Sequence, residues 1–388
     1  MASVPPEVER AVPSALTGPG LGVRLRQLRN RLLERPRFQA WAASFPLTRR
    51  IAGRHARALF DLCAGFVYSQ VLYACVKLDV FEQMAAGPRS AAELALRWQM
   101  PMDSAQRLLA AAASLQLLER RRDGRYELGM LGAALRGNPG VAAMIEHHAL
   151  LYADLADPLA LLREGAAGTR LSRYWAYAGD RCGTLEPHRV LAYTQLMARS
   201  QHLVAADILD AYPPTRHRRL LDVGGGDGSF AIAVVSHSPA LSAIVADLPG
   251  VAAAARQHIA ARGLADRIAV SECDALRQPL PTGADVASLV RVLHDHDDGP
   301  ALILLKRVHE ALPPGGALLI AEPMAGTAGA EPMGDAYFGF YLLAMGSGRP
   351  RTAAELSALV RAAGFAEARP VPTRRPLLVR VLLCRKAE

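Results

Sequence analysis

Residues 220–230 read LLDVGGGDGSF: a short apolar run, then Gly224, Gly226 and Gly228, with Asp222 and Asp227 on either side of the turn. A dinucleotide-binding turn has the spacing GxGxxG; here it is GxGxG, with Ser229 where the third glycine would stand. No Walker A lysine follows. A pyrophosphate on this turn would meet carboxylates of its own sign, whereas a donor carrying a sulfonium and an ammonium would be attracted. The chemistry favours S-adenosylmethionine over NAD or ATP. Asp247 and its neighbour Leu248 follow a second apolar run, where a carboxylate suits two ribose hydroxyls; Asp274 and Ala275 follow a third, in reach of an adenine amino group. Singly, each acid also reads as a strand-end or helix-capping residue. Acids at three consecutive strand ends converge on one cofactor edge.

The fourth run ends in RVLHDHDDGP, residues 291–300. A histidine at a strand's carboxyl end has a pKa near neutrality, so His294 is placed to take the proton of a hydroxyl as a methyl group arrives in line. The fifth run, LLIAEPM, brings Glu322 to the same edge, where it can orient or polarise the imidazole. Two other readings of His294 to Asp298 stay open. One is a solvated loop; the other is a metal site, disfavoured because consecutive mixed ligands lack a spacing that converges them. Beyond Glu322, Tyr337, Phe338, Tyr341 and Met345 share one helical face, which reads either as core or as the wall of a pocket for a long apolar acceptor. Met144, His147, His148, Tyr152, Tyr174, Trp175, Tyr177 and Met197, from the helical stretch 136–215, read mostly as core or helix-surface residues, with some available to line a pocket.

The elements that must position these residues follow from periodicity. RLLDVG, AIVADL, RIAVSEC, ADVASLVRVLH and GALLIAEPM alternate with helical segments, the pattern of an α/β doubly wound parallel sheet, and LLVRVLLCRK supplies a final strand. Thr352 and Glu355 form a capping box opening a helix that Gly364 stops. In the front half, SAAELALRW, a QMP turn and DSAQRLLAAAASLQLL make a helix-turn-helix, and ERRRDGRYEL makes two strands about Asp123 and Gly124. This is winged-helix patterning, but residues 104–118 carry few polar side chains, so the second helix is expected to be buried and to serve dimerisation rather than DNA reading. Four segments result: a proline-rich tail and basic arm over 1–55, a winged-helix-like dimerisation domain over 56–135, a helical linker and pocket region over 136–215, and an S-adenosylmethionine-binding domain over 216–388.

The charge is localised. Residues 21–60 hold ten arginines and one acid, Glu34, which accounts for the whole net charge of +9 and leaves no general nucleic-acid-binding surface. Leucines and aromatics recur among these arginines at helical intervals, giving amphipathic helices that either rest on anionic lipid or pack on the protein itself or a dimer partner. Five cysteines without a CxxC pair argue against a zinc knuckle, a redox motif or a disulfide framework. No signal-peptide pattern and no apolar run of about 18 residues stands out, so an intracellular chain is expected.

Taken together, LLDVGGGDG, VADLPG, CDA, RVLHDHDD, IAEPM and RTAAELSALVRAAGF resemble, in order, the metal-independent, plant-caffeate-type O-methyltransferase family. The resemblance runs from about residue 56 to the end. It implies a class I methyltransferase domain of Rossmann-like fold behind a helical dimerisation domain, a homodimer, S-adenosylmethionine as cofactor, and no metal. It also implies cofactor contacts at Asp222, Gly224, Gly226, Asp247, Leu248, Asp274, Ala275 and Arg291, with His294 as base and Glu322 as its orienting acid. There are departures: the lysine common in plant members four residues before the histidine is Val290, the HDW motif reads His294, Asp295, His296, and the second flanking acid is replaced by Pro350. Residues 38–72 and 335–352 further resemble the branch acting on hydroxylated acyclic carotenoids of the hydroxyneurosporene or demethylspheroidene type. That implies a tertiary alcohol as acceptor in spheroidene-pathway synthesis, and a cytoplasmic protein or one peripheral to the inner or intracytoplasmic membrane. Alternatives are a phenolic or tetrapyrrole acceptor, a protein that binds S-adenosylmethionine without transferring methyl, and a DNA regulator; retention of His294 and Glu322 speaks against the non-methylating protein, and the apolar second helix against the DNA regulator.

Overall fold

The computed structural model describes residues 21–174 and 187–388. The chain divides into two compact units, Met1–Val71 and Leu72–Glu388. The first is built from α1 (Leu21–Leu33), α2 (Pro36–Ser44) and the greater part of α3 (Arg49–Lys77). Pro36 opens α2, where its missing N–H costs nothing. Neither α1 nor α2 buries a residue. Although Asp61, Ser69 and Gln70 interrupt its apolar stretch, α3 is long and apolar enough, by length and composition, to cross a membrane, contrary to the expectation from sequence. Leu59, Phe60, Leu62 and Phe66 stand exposed on it.

The second unit begins with short helices and the expected hairpin. Ser90 and Glu93 close a capping box on the helix Ala91–Arg97, and β1 (Leu118–Arg120) pairs antiparallel with β2 (Tyr126–Leu128) across the Asp123 and Gly124 turn. The helix Met102–Ser114 departs from expectation: it buries only Ala105, Leu109 and Ala112. Its alanine content gives an apolar composition all round, but one face alone meets neighbours, and Asp103, Gln106 and Arg107 point outward.

The larger sheet contains β3 (Arg219–Val223), β4 (Ser242–Asp247), β5 (Ile268–Glu272), β6 (Val286–Val290), β7 (Ala317–Glu322), β8 (Glu367–Val371) and β9 (Arg380–Arg385). Their spatial order is β5-β4-β3-β6-β7-β9-β8, the first five parallel and β9 antiparallel to both its neighbours. Every residue of β6 and β7 is buried, as strands covered on both faces require. Alternate residues feed two cores: Leu221, Leu289 and Ile320 enter one, and Leu220, Val290 and Leu319 the other. Chain order reverses between β3 and β6, so the helices leaving them diverge and open a crevice at the carboxyl edge. β8 is the strand not foreseen; Pro370 interrupts its pattern, which is tolerated because it lies at the sheet's edge.

The capping box foreseen at Thr352 is formed. Glu355 N–H donates to Thr352 Oγ1 at 3.2 Å, and Thr352 N–H donates to Glu355 Oε2 at 2.8 Å, opening the helix Ala353–Ala362. Thr352→Ala is expected to cost about 1 kcal/mol of stability, read as a lower denaturant midpoint at unchanged slope.

Candidate active site

The crevice encloses about 200 Å³ and is lined by the glycine turn, the residues that follow β4, β5 and β6, and one face of the helix Pro187–Ala211. Gly224 and Gly226 take φ of +65° and +62°, the left-handed region that the turn demands and a side chain would resist. The turn is held from β4: Asp247 Oδ2 accepts the Gly226 N–H at 2.8 Å, and Oδ1 accepts the Leu248 N–H at 2.7 Å. Burial pushes the Asp247 carboxyl up to about 6 against these two bonds.

Asp222 sits beneath the turn and is almost fully buried. Ser288, its partner in the β3 and β6 register, donates its hydroxyl to Oδ1 at 2.7 Å, while Oδ2 has no partner among the described residues. Burial raises its pKa to about 7, Ser288 works against that, and Asp247 and Asp227 add to it. A buried carboxylate with one orphan oxygen among other acids suits a cationic ligand and repels a phosphate. Asp274 and Ala275 lie past the end of β5 on the same wall. Asp274 Oδ1 accepts the Leu276 N–H at 3.1 Å, and Arg277 stands 3.6 Å from Oδ2.

Arg291 lines the crevice with its backbone in the left-handed region, φ +56°. Its guanidinium turns to the helix Pro187–Ala211, donating to Ser200 Oγ at 2.8 Å, to the Met197 carbonyl at 2.9 Å and to Gln201 Oε1. The residue therefore ties that helix to the crevice wall.

His294 and Asp295 lie in a turn of 3-10 helix after β6 and are only 7% and 8% exposed, so these two are not in a solvated loop, whereas Asp297 and Asp298 are exposed. Glu322, at the end of neighbouring β7, is wholly buried; its Oε2 accepts the His294 backbone N–H at 3.1 Å and stands 3.4 Å from Nδ1. On the other side, Asp295 Oδ1 is 3.1 Å from Nε2. Pro350 had left room for only one flanking carboxylate, yet the imidazole stands between two, because the next residue along the chain supplies the second. Burial alone would depress the imidazole; Asp295 and Glu322 outweigh it and carry the pKa up to about 10.

Of the apolar helix face, Phe338 comes within 5.9 Å of the His294 ring, centroid to centroid, and packs on Tyr337 at 4.9 Å. Tyr337 and Tyr341 meet the helix Pro139–Asp154, where His148 Nε2 lies 2.7 Å from the Tyr337 hydroxyl and His147 Nε2 lies 2.9 Å from that of Tyr341. Burial, with the neighbouring His148, brings His147 down to about 4, so that ring is neutral. Met345 is packed into a core cluster with Leu151 and Leu171, away from the crevice wall. Met197 lines the crevice, and Tyr174 packs on His147 at 4.8 Å; Trp175 and Tyr177 fall outside the described residues.

Sequence reasoning missed Arg351. Its guanidinium is completely buried and donates to the Leu293 carbonyl at 2.8 Å, the His296 carbonyl at 2.7 Å and Asp298 Oδ1 at 2.8 Å. It clamps both ends of the turn that carries His294.

Comparison with known proteins agrees with this geometry. Residues 153–366 match the O-methyltransferase domain, and residues 60–136 match the O-methyltransferase dimerisation domain. The chain belongs to the O-methyltransferase family. It is 44% identical to demethylspheroidene O-methyltransferase of Cereibacter sphaeroides over 94% of this chain and 96% of that one. With the protein of the same name from Rhodobacter capsulatus it shares 39% over 87% and 84%. Among solved structures, human N-acetylserotonin methyltransferase in complex with S-adenosylmethionine superposes with a TM-score of 0.71 at 26% identity, covering 86% of this chain and 98% of that one. This O-methyltransferase is thus a class I enzyme that uses S-adenosylmethionine, and its dimerisation domain supports a homodimer acting on a small molecule.

Arg351→Lys leaves buried carbonyls without donors and is expected to destabilise the protein by about 3 kcal/mol. Thermal unfolding measures it, and a change under about 1 kcal/mol would contradict the clamp.

Proposed function

We propose that this O-methyltransferase methylates the tertiary hydroxyl of an acyclic hydroxycarotenoid of the demethylspheroidene or hydroxyneurosporene type. The observation that carries the reading is the likeness, over 94% of the chain, to a protein named for that reaction. The aromatic face beside His294 supports it, since a long hydrocarbon acceptor needs an apolar wall next to the reacting edge. Within the same reading, the basic arm over residues 21–60 brings the enzyme to the membrane in which such an acceptor dissolves.

The roles in this reading are these. Asp222, Gly224, Gly226, Asp247, Leu248, Asp274, Ala275 and Arg291 hold the cofactor, with the Asp222 carboxylate answering its positive charge. S-adenosylmethionine supplies an electrophilic methyl group there. His294 receives the acceptor's proton, its ring held between Asp295, 3.1 Å from Nε2, and Glu322, 3.4 Å from Nδ1. A tertiary alcohol is a weak acid, so its proton leaves only as the carbon–oxygen bond forms. Tyr337, Phe338 and Tyr341 border the acceptor.

A base must be unprotonated, and Asp295 together with Glu322 favours the imidazolium. Activity is therefore expected to climb with pH through the neutral range toward about 10. Asp295→Asn removes one of the two charges that raise the imidazole, so the climb moves to lower pH; an unmoved profile contradicts the assignment. His294→Ala is expected to lower kcat by about 10²- to 10⁴-fold with adenosylhomocysteine affinity retained. The substrate test is direct. Purified enzyme is given methyl-labelled donor with hydroxylated acyclic carotenoid, a phenol or a tetrapyrrole, and label is expected on the carotenoid oxygen alone. Label on the tetrapyrrole or phenol instead overturns the reading.

A further inference from the structure

We propose that α1 and α2 form a docking surface for an anionic lipid bilayer, lying flat in the headgroup region. At 100° per residue, Leu21, Leu25, Leu28 and Leu32 fall on one stripe of α1. Arg24 and Arg31 border that stripe on one side, Arg26 and Arg29 on the other. This is the cross-section of a helix resting at a membrane interface: a narrow apolar keel with cations on both flanks, long enough to reach phosphates while leucines enter the acyl boundary. α2 repeats the device with aromatic residues. Phe38, Trp41 and Phe45 recur at i, i+3 and i+7 and stack at 5.5 Å and 5.1 Å, with Arg35 and Arg37 nearby. Aromatic rings of this kind favour the headgroup level of a bilayer.

Two observations choose lipid over a second copy of the chain. Both helices, whose keel residues are exposed, Leu25 at 58% and Trp41 at 50%, lie ahead of residues 60–136, the part that matches the dimerisation domain. The charge is also one-sided. Ten arginines face a single acid across residues 21–60, so a self-associated arm would bring like charges together, whereas an anionic surface neutralises them. The arm's own residues make this surface, whichever acceptor the enzyme methylates.

The full-length protein is sedimented with vesicles of phosphatidylcholine mixed with phosphatidylglycerol, and with vesicles of phosphatidylcholine alone. Binding is expected to the mixed vesicles and to weaken sharply at about 1 M salt, where charges are screened beyond about 3 Å. Each arginine removed is expected to cost about fivefold in partitioning, so Arg24→Gln, Arg29→Gln and Arg31→Gln together cost about a hundredfold. Leu25→Ser with Leu28→Ser is expected to lower it at least about tenfold. Adenosylhomocysteine binding and the mass of the protein in solution are measured on the same variants and are expected to be unchanged. Equal binding to both vesicle types, or no loss in the arginine variant, overturns the proposal. So does an arm variant that splits the dimer while the parent binds no vesicles, which would assign the arm to a second copy. Failure of the carotenoid reading would appear separately, as label on another acceptor by a protein that still binds vesicles.

Discussion

A carboxylate can be buried at the end of a strand only if something nearby answers its charge, and this chain meets that condition differently at each strand of its crevice. Backbone N–H groups of the glycine turn and of Leu248 answer Asp247. At Asp222 a serine from the adjoining strand answers one oxygen and the other is left over. Glu322 is answered by the histidine and its backbone. The acids with spare capacity are Asp222, at the reversal of strand order, and Glu322, beside the imidazole.

The sheet itself was largely legible. Apolar runs of strand length, spaced by helical segments, pointed to β3 through β7 and β9, and the acids ending β4 and β7 could be read as belonging to one edge because parallel strands end together. Asp222 was legible for the same reason, and Asp274 nearly so, lying two residues past β5. β8 was not, since Pro370 and three exposed positions break the alternation that a buried strand shows.

The support around the histidine was far less legible. Arginine is a surface residue by default, so nothing in RPRT announces that the second arginine, Arg351, is wholly buried; its three bonds join it to residues more than fifty positions earlier. Asp295 was visible as one acid in a polar cluster, but its contact with Nε2 depends on the tight turn that folds it back over the ring it follows. Tyr341 and Met345 share a helical stripe, and both are packed into one core cluster with Leu151 and Leu171. Periodicity tells which side of a helix is apolar and is silent about what lies against it.

The two histidine–tyrosine pairs between the helix Pro139–Asp154 and the segment after β7 carry a last implication. Burial holds both imidazoles toward their neutral form, so the two helical segments are joined across an otherwise apolar layer by uncharged polar contacts. Removing either partner of a pair would strand the other's polar atom inside that layer, which ties the placement of the segment after β7 to the helix it meets.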